Sequence, residues 1–246
     1  NIQSLTNNII WNIFADQEHN IWLGTDYGIS LSRYNSALQF IPISQITGTG
    51  DGNQFYSLFR DSKGFYWFGG TNGLIRFTDP AGDKHNAIWY RMGDKTYPLS
   101  HNRIRHIYED KEQQLWIATD GSINRYDYAT RQFVHYNIVD STGTYNTNWT
   151  YYMFEDNAGH LWISTCLGGI FVVDKHRLMQ SASGQYVAEQ NYSVHNGLSG
   201  MFINQIIPDN EGNVWVLLYN NKGIDKINPR TREVTKLFAD ELNGEK

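Results

Sequence analysis

The amino-acid sequence predicts an all-β protein, a β-propeller with about five four-stranded blades. Aromatic residues make up 15% of the chain and charged residues only 18%, which is typical of a folded, β-rich protein rather than a disordered one. One sequence pattern recurs five times at intervals of 45 to 53 residues. Each copy divides into short β-branched and aromatic runs separated by turn-forming residues, as expected for a propeller blade.

The repeat is anchored by an Asp that is followed six residues later by a Trp. An apolar residue stands three positions before each Asp, and in four copies an Asn stands eight positions before it. A catalytic pair needs carboxylates in different environments, so we interpret a carboxylate that recurs in one register as a turn residue. We interpret the recurring Trp as packing between blades. The pairs are Asp16 and Trp22, Asp61 and Trp67, Asp110 and Trp116, Asp156 and Trp162, and Asp209 and Trp215.

Four strands follow in order within each repeat. The first is the run that ends at the Asp, such as NIIWNIFAD, and repeats two, four and five complete the turn after it with Gly. The second strand carries the Trp, as in IWLGT. A second glycine turn leads to a third strand such as GLIRFTD, and a fourth follows as in QFVHYNI. We therefore predict one propeller segment over 1–246, with blades at approximately 1–47, 48–95, 96–140, 141–195 and 196–246.

Two strings in this pattern, LTNNIIWNIFADQEHNIWLGTDYGISLSRYN and LSHNRIRHIYEDKEQQLWIATDGSINRYD, resemble the two-component regulator propeller repeat. The resemblance covers nearly the whole chain. It implies the extracytoplasmic sensor region of a Bacteroidetes hybrid two-component system histidine kinase. In that family two seven-bladed propellers precede a small β-sandwich, a membrane helix, a kinase and a DNA-binding regulator. The resemblance also implies sensing of oligosaccharides released from glycans. Repeat five departs from the pattern at Leu217 and Leu218, where three of the other four copies have a small residue and Thr.

The number of repeats leaves two architectures open, a closed five-bladed ring and part of a larger one. The chain opens almost at the first strand of repeat one and ends just past the fourth strand of repeat five. Neither end therefore offers a spare strand to complete a blade at the other end. Together with the family resemblance, this favours part of a seven-bladed propeller, whose terminal sheets would need other contacts to cover them.

Charge and composition argue against several kinds of function. The net charge is −5 and the 20 Lys and Arg residues are scattered, so we expect no nucleic-acid partner for this segment. A single cysteine, Cys166, cannot form an intrachain disulfide. The eight His residues show no metal-ligand spacing, and no phosphate-binding glycine loop or nucleophile elbow occurs. We predict no metal, no cofactor and no catalytic residue.

The informative positions are those where the repeats differ. Four to seven residues before the Asp, on or just before the first strand, the side chains are polar or amphipathic. The starts of inner propeller strands line the central channel and one of its mouths, where aromatic faces and Asn or Arg donors suit sugar rings. The alternative is that these residues are polar only because they contact water. The candidate ligand-binding residues are Trp11, Tyr56, Arg103, Arg105, His106, Trp149, Tyr151 and Asn204.

The leading hypothesis is a periplasmic sensor segment that binds a glycan-derived oligosaccharide and catalyses nothing itself. Signalling would run through a homodimer of the parent protein, which alone would contact the membrane and would control transcription. One alternative is a carbohydrate-active propeller enzyme, a lyase or glycosidase. The absence of carboxylates from the candidate positions disfavours a glycosidase. The other alternative is a propeller scaffold that binds proteins.

Overall fold

In a computed structural model, the described residues are 5, 7–34, 38–41, 54–78, 87–96, 98–181, 185–219 and 223–237. Strands dominate this part of the chain, accompanied by one α-helix and one 3₁₀ helix. The strands are β1 (Ile10–Ala15), β2 (Ile21–Thr25), β3 (Gly28–Ser32), β4 (Leu38–Ile41), β5 (Phe55–Arg60), β6 (Tyr66–Gly70), β7 (Gly73–Phe77), β8 (Ile88–Tyr90), β9 (Ile104–Glu109), β10 (Leu115–Thr119), β11 (Ser122–Asp127), β12 (Gln132–Val139), β13 (Thr150–Glu155), β14 (His160–Thr165), β15 (Ile170–Asp174), β16 (Gln185–Val187), β17 (Gln190–Tyr192), β18 (Ile203–Pro208), β19 (Val214–Leu218), β20 (Ile224–Ile227) and β21 (Val234–Leu237). The helices are α1 (Lys175–Gln180) and the 3₁₀ turn Val194–Asn196.

The described strands form five sheets in which, apart from β16, strands that follow one another in the sequence are paired. The orders are β1-β2-β3-β4, β5-β6-β7-β8, β13-β14-β15-β17 and β18-β19-β20-β21, and the third sheet reads β16-β12-β11-β10-β9. Each four-stranded run is the meander that the repeat predicts for one blade. Within the described residues no helix is both long and apolar enough to cross a lipid bilayer.

The chain divides into two compact units. The first comprises Asn1–Ile117 and Arg125–Phe133, and the second comprises Ala118–Asn124 and Val134–Lys246. In the first unit the core consists mainly of aromatic and branched side chains, including Trp22, Phe68 and Trp67, each at most 2% exposed. A Cβ atom on Gly69 would lie 2.5 Å from the Cγ2 atom of Ile104, so neighbouring sheets approach too closely there for any larger residue.

The second unit contains an insertion that the sequence did not predict. After β15 the chain forms α1, which Asp174 caps by accepting the backbone N–H of Arg177. It then forms β16, which pairs in parallel with β12 at Asn137 and Gln185. By sequence β16 belongs to blade four, but it forms the fifth strand of the blade-three sheet. The last strand of blade four, β17, then completes the fourth sheet. The α1 residue Lys175 is fully buried and its Nζ atom lies 2.8 Å from Oε1 of Glu155.

A β-bulge recurs in the first strand of four sheets. In β1, β5, β13 and β18 the pairing with the second strand skips one residue at the same point of the repeat. A bulge leaves the extra residue outside the ladder and re-aims its side chain. The extra residues are Trp11, Tyr56, Tyr151 and Asn204, which are four of the positions that the sequence singles out as variable.

Candidate ligand-binding site

The recurring Asp and Trp residues form one hydrogen-bonded unit in every repeat. One carboxylate oxygen accepts the backbone N–H groups two and four residues further on, at 2.8 to 3.1 Å. The other oxygen accepts the indole N–H of the Trp at 2.7 to 3.0 Å. The interpretation of these aspartates as turn residues is confirmed, and the bond to the Trp is an addition that the sequence analysis missed.

In the turn after each Asp, the third residue that follows the Asp needs a left-handed backbone. Gly64, Gly159 and Gly212 adopt a positive φ there. In repeats one and three, where Gly is absent, His19 and Gln113 adopt φ values of 63° and 61°. The turn geometry is therefore maintained by the carboxylate's hydrogen bonds even where the residue is unfavourable for it.

These hydrogen bonds predict a loss of stability in acid. Burial tends to raise the pKa of Asp16 and Asp156, but bonds from Trp22 and Trp162 and from neighbouring groups outweigh it and lower the pKa; the same balance brings the pKa of Asp209 to about 2. A lowered folded-state pKa means that the stabilisation is complete above the unfolded value of about 3.9 and is lost as pH falls towards about 2.

We therefore expect the free energy of unfolding, measured with urea, to decrease steadily from about pH 4 to about pH 2. Asp209→Asn serves as the control, because it removes one of the titrating groups and should make the dependence shallower near pH 2. An unfolding free energy that is constant over this interval would contradict the assignment.

In the first unit, three of the candidate ligand residues come together. The rings of Trp11 and Tyr56 meet edge to face at 5.1 Å, and the guanidinium carbon of Arg105 lies 5.5 Å from the centre of the Tyr56 ring. The indole N–H of Trp11 donates to Asp26 at 2.5 Å, and the Tyr56 hydroxyl donates to Gln54 at 2.6 Å. Trp11 is 50% exposed, so this cluster presents an aromatic face to solvent.

The other two candidates of this unit have different surroundings. Arg103 is exposed, and its backbone N–H donates to His101. His106 is half-buried, and loss of solvent around its ring lowers its pKa to about 3, so the ring is neutral near pH 7. Its equivalents Asn12 and Ser57 accept backbone N–H groups from the next sheet, at Leu58 and Ile107. The His106 position therefore corresponds to one that serves contacts between sheets in the two preceding repeats.

In the second unit, Tyr151 and Asn204 are on different strands. The Tyr151 ring packs edge to face on Phe202 at 5.3 Å, and Phe202 in turn stacks on Tyr219 at 4.5 Å. Asn204, the bulged residue of β18, is exposed. The ligand site that the sequence predicts at the mouth of the channel would combine candidate residues from both units. It stays a prediction.

Trp149 lies at a cavity within the second unit. The cavity has a volume of about 310 Å³, and we call it the Trp149 cavity. The indole is 48% exposed, so its face is available to a ligand. The residues lining the cavity are Thr144, Tyr145, Asn146, Asn148, Trp149, Leu167 and Gly168.

The backbone of Trp149 is held in a conformation that bulky residues rarely adopt. Its φ is 55°, whereas none of its equivalents in the other repeats, Ile9, Gln54, Arg103 and Phe202, has a positive φ. The Trp149 N–H donates to the Asp120 carbonyl and its own carbonyl accepts the N–H of Cys166, both at 3.0 Å. Strain of this kind persists only where surrounding contacts impose it, and it occurs preferentially at functional sites.

The Gly168 side of the cavity arises from an extra residue in the second turn of repeat four. The hydroxyl of Thr165 donates to the Gly169 carbonyl four residues on, whereas the equivalent bonds from Thr25 and Thr119 span three residues. A Cβ atom on Gly168 would lie 2.8 Å from the Asn146 carbonyl oxygen. Glycine is thus required for the turn to approach the 140–148 loop.

Sequence reasoning identified Trp149 but missed the other residues that line the cavity. The available signal was the string CLGGI, one residue longer than the corresponding DYGI. Within the described ranges, no three His, Cys, Asp or Glu side chains gather in a way that could hold a metal ion.

These features define a class of protein, a repeat β-propeller with a uniform Asp–Trp framework and variable residues at the bulges and turns. The family model for the two component regulator propeller matches residues 4–27, 49–72 and 98–121. Three copies of the repeat match this family, and the resemblance inferred from the repeats is confirmed. No match was found among curated proteins.

Solved structures of other propellers are similar to the chain. The extracellular domain of the hybrid two component system BT4673 from B. thetaiotaomicron is 95% identical, with a TM-score of 0.82, over 100% of this chain and 33% of that one. The corresponding domain of BT3049 from the same organism is 20% identical with a TM-score of 0.71, over 96% of this chain and 29% of the other. The chain thus spans about a third of the length of these domains.

A more distant structure shows the fold alone. Virginiamycin B lyase from Staphylococcus aureus is 16% identical with a TM-score of 0.67, over 95% of this chain and 71% of the lyase. The predicted fold class, an all-β protein with five four-stranded blades of a β-propeller, is confirmed.

Proposed function

We propose that this chain is a ligand-sensing propeller segment of a two-component sensor histidine kinase, located in the periplasm. It binds glycan-derived oligosaccharides and is not itself an enzyme. The similarity to extracellular domains of hybrid two-component systems supports the sensor role. The observation that carries the ligand class is Trp149, an exposed aromatic face whose backbone is locked beside the amides of Asn146 and Asn148.

This combination suits a sugar because each ring offers an apolar C–H face to stack on an indole and hydroxyls to bond with amides. The seven residues that line the Trp149 cavity include no carboxylate, His, Lys or Arg. They therefore offer binding groups but no pair of carboxylates, which favours recognition over hydrolysis by a glycosidase.

Signalling then requires differential affinity. A ligand shifts an equilibrium between two arrangements only as far as it binds one of them more tightly. In the proposed parent protein, a membrane-anchored homodimer, an oligosaccharide would stabilise the signalling arrangement, and the kinase would relay that change to transcription.

Isothermal titration calorimetry of the complete extracellular region against a broad panel of plant and host glycan oligosaccharides tests this proposal. We expect binding heat from at least one member of the panel and no change in its chain length on prolonged incubation. Absence of heat from every member would refute glycan sensing. Release of shorter products would instead favour a carbohydrate-active enzyme.

A further inference from the structure

We infer that the Trp149 cavity receives one uncharged sugar ring and selects neutral over acidic oligosaccharides. This inference rests on the proposed function and adds the ligand class and the subsite. The cavity's volume of about 310 Å³ is at the lower end of the range of about 300–1,000 Å³ that small-molecule sites cover. A cavity of this size accommodates one terminal ring of an oligosaccharide rather than a long stretch of chain.

The polar groups around the cavity are neutral and already oriented. The Asn146 side-chain oxygen accepts the backbone N–H of Asn148 at 3.0 Å, which fixes the amide and directs its NH₂ group to other acceptors. The hydroxyl oxygens of Thr144 and Thr142 lie 2.8 Å apart, and because the single Thr142 proton goes to the Asp140 carboxylate, the Thr144 hydroxyl donates in this pair. Its oxygen can accept a hydrogen bond. The Asn146 amide thus offers N–H donors, and the Thr144 oxygen offers an acceptor, to the hydroxyl groups of a sugar.

Hydrogen bonds hold the Gly168 side of the cavity in place. The Gly168 N–H donates to the Thr165 hydroxyl at 2.9 Å, and the Gly168 carbonyl accepts the Asn191 side-chain amide at 2.8 Å. Together with the hydrogen bonds that fix the Trp149 backbone, these bonds hold the indole and the polar side chains of the cavity in place before a ligand binds. Preorganisation of this kind reduces the entropy lost on binding.

Charge distinguishes neutral from acidic ligands at this site. The loop that carries Thr144 to Asn148 begins at Asp140, whose carboxylate accepts the backbone N–H of Tyr145 at 2.7 Å and the Thr142 hydroxyl at 2.5 Å. Burial tends to raise the pKa of Asp140, but these hydrogen bonds outweigh burial and hold the pKa below its usual value. The group is therefore ionised at neutral pH. With a negative charge in the loop and no cation among the lining residues, a uronate or sulfated sugar meets repulsion without compensation.

Saturation-transfer NMR on the complete extracellular region tests the inference, with lactose, maltose and cellobiose as neutral probes and digalacturonate as the acidic probe. We expect at least one neutral probe to bind more tightly than digalacturonate. Trp149→Asn should weaken that binding about tenfold or more, because the stacking face is lost. Asn tolerates a positive φ better than other residues, so this variant should fold. Tyr34→Asn, which removes a 68% exposed aromatic ring in the first unit, should change nothing.

A second variant reports on the charge argument. Asn148 is exposed, so Asn148→Lys places a cation at the rim without disturbing the core. It should raise the affinity for digalacturonate several-fold, whereas the neutral probe, which loses the Asn148 amide, should bind no more tightly than to the unchanged protein.

Three results would overturn the inference. They are neutral-probe binding that Trp149→Asn does not weaken, digalacturonate binding through Trp149 as tight as that of the neutral probes, and no signal from any neutral probe. In each case the glycan panel still decides the proposed function separately, since binding heat there would show a sugar site elsewhere in the region.

Discussion

Glu155→Gln is expected to lower the free energy of unfolding by about 3–5 kcal/mol. Oε1 of Glu155 lies 2.8 Å from Nζ of Lys175, and the two side chains are 4% and 0% exposed. Removing the carboxylate charge takes a charge partner away from a buried ammonium, which is far more costly than losing such a pair in water. Because Lys175 is the first residue of α1, the insertion that carries β16 should loosen with it.

The matched control for this change is the exposed pair of the first unit. Arg60 and Glu18 are also 2.8 Å apart, but the Glu18 side chain is 55% exposed. Glu18→Gln should therefore cost less than about 1 kcal/mol. Urea unfolding followed by tryptophan fluorescence measures both variants. The buried-pair argument fails if the two substitutions cost the same, and Glu155→Leu combined with Lys175→Met should recover most of the loss.

Asp61→Ala should be nearly as damaging, with an expected loss of at least about 3 kcal/mol. Its carboxylate accepts four hydrogen bonds, from the N–H groups of Lys63 and Phe65, the Trp67 indole at 2.7 Å and the Tyr128 hydroxyl at 2.7 Å. Trp67 is 0% exposed, so water cannot replace the lost acceptor there. Each buried donor left without a partner costs about 1–3 kcal/mol.

The equivalent change in the fifth repeat provides the comparison. The Trp215 indole donates to Asp209 at 3.0 Å in the same way, but Trp215 is only half-buried. Asp209→Ala should therefore cost clearly less than Asp61→Ala, since water can satisfy the indole N–H. Near-UV circular dichroism of the tryptophans and urea denaturation measure both. A larger loss for Asp209→Ala would show that the framework does not depend on burial of the indole.

The blade pattern could be predicted from the sequence because it is local and repeated. The Asp, the Trp and the strands beside them lie within about 25 residues of one another in each copy, and the five copies provide independent evidence for the same elements. The insertion of blade four was missed for the opposite reason. The helix α1 spans six residues, too few for a helical period to stand out, and β16 pairs with a strand of the preceding repeat.

The candidate site could be predicted only in part. Trp149 stood out because it departs from the residue types of the other repeats. Tyr145, Asn146 and Gly168 did not, because their role depends on where the 140–148 loop and a lengthened turn meet. A loop's conformation depends on hydrogen bonds such as those of Asp140, and a residue pattern does not reveal those bonds.

The recurring bulges make four variable surface positions independent of the regular strand pairing. A bulged residue lies outside the regular pairing, so the framework beneath it does not depend on which side chain it carries. Trp11, Tyr56, Tyr151 and Asn204 differ in size and chemistry although the register shift around them is the same. Mutation at these positions can therefore change what the surface contacts at little cost to folding. The exposed surface of such a propeller can thus change one blade at a time while the Asp–Trp framework stays constant.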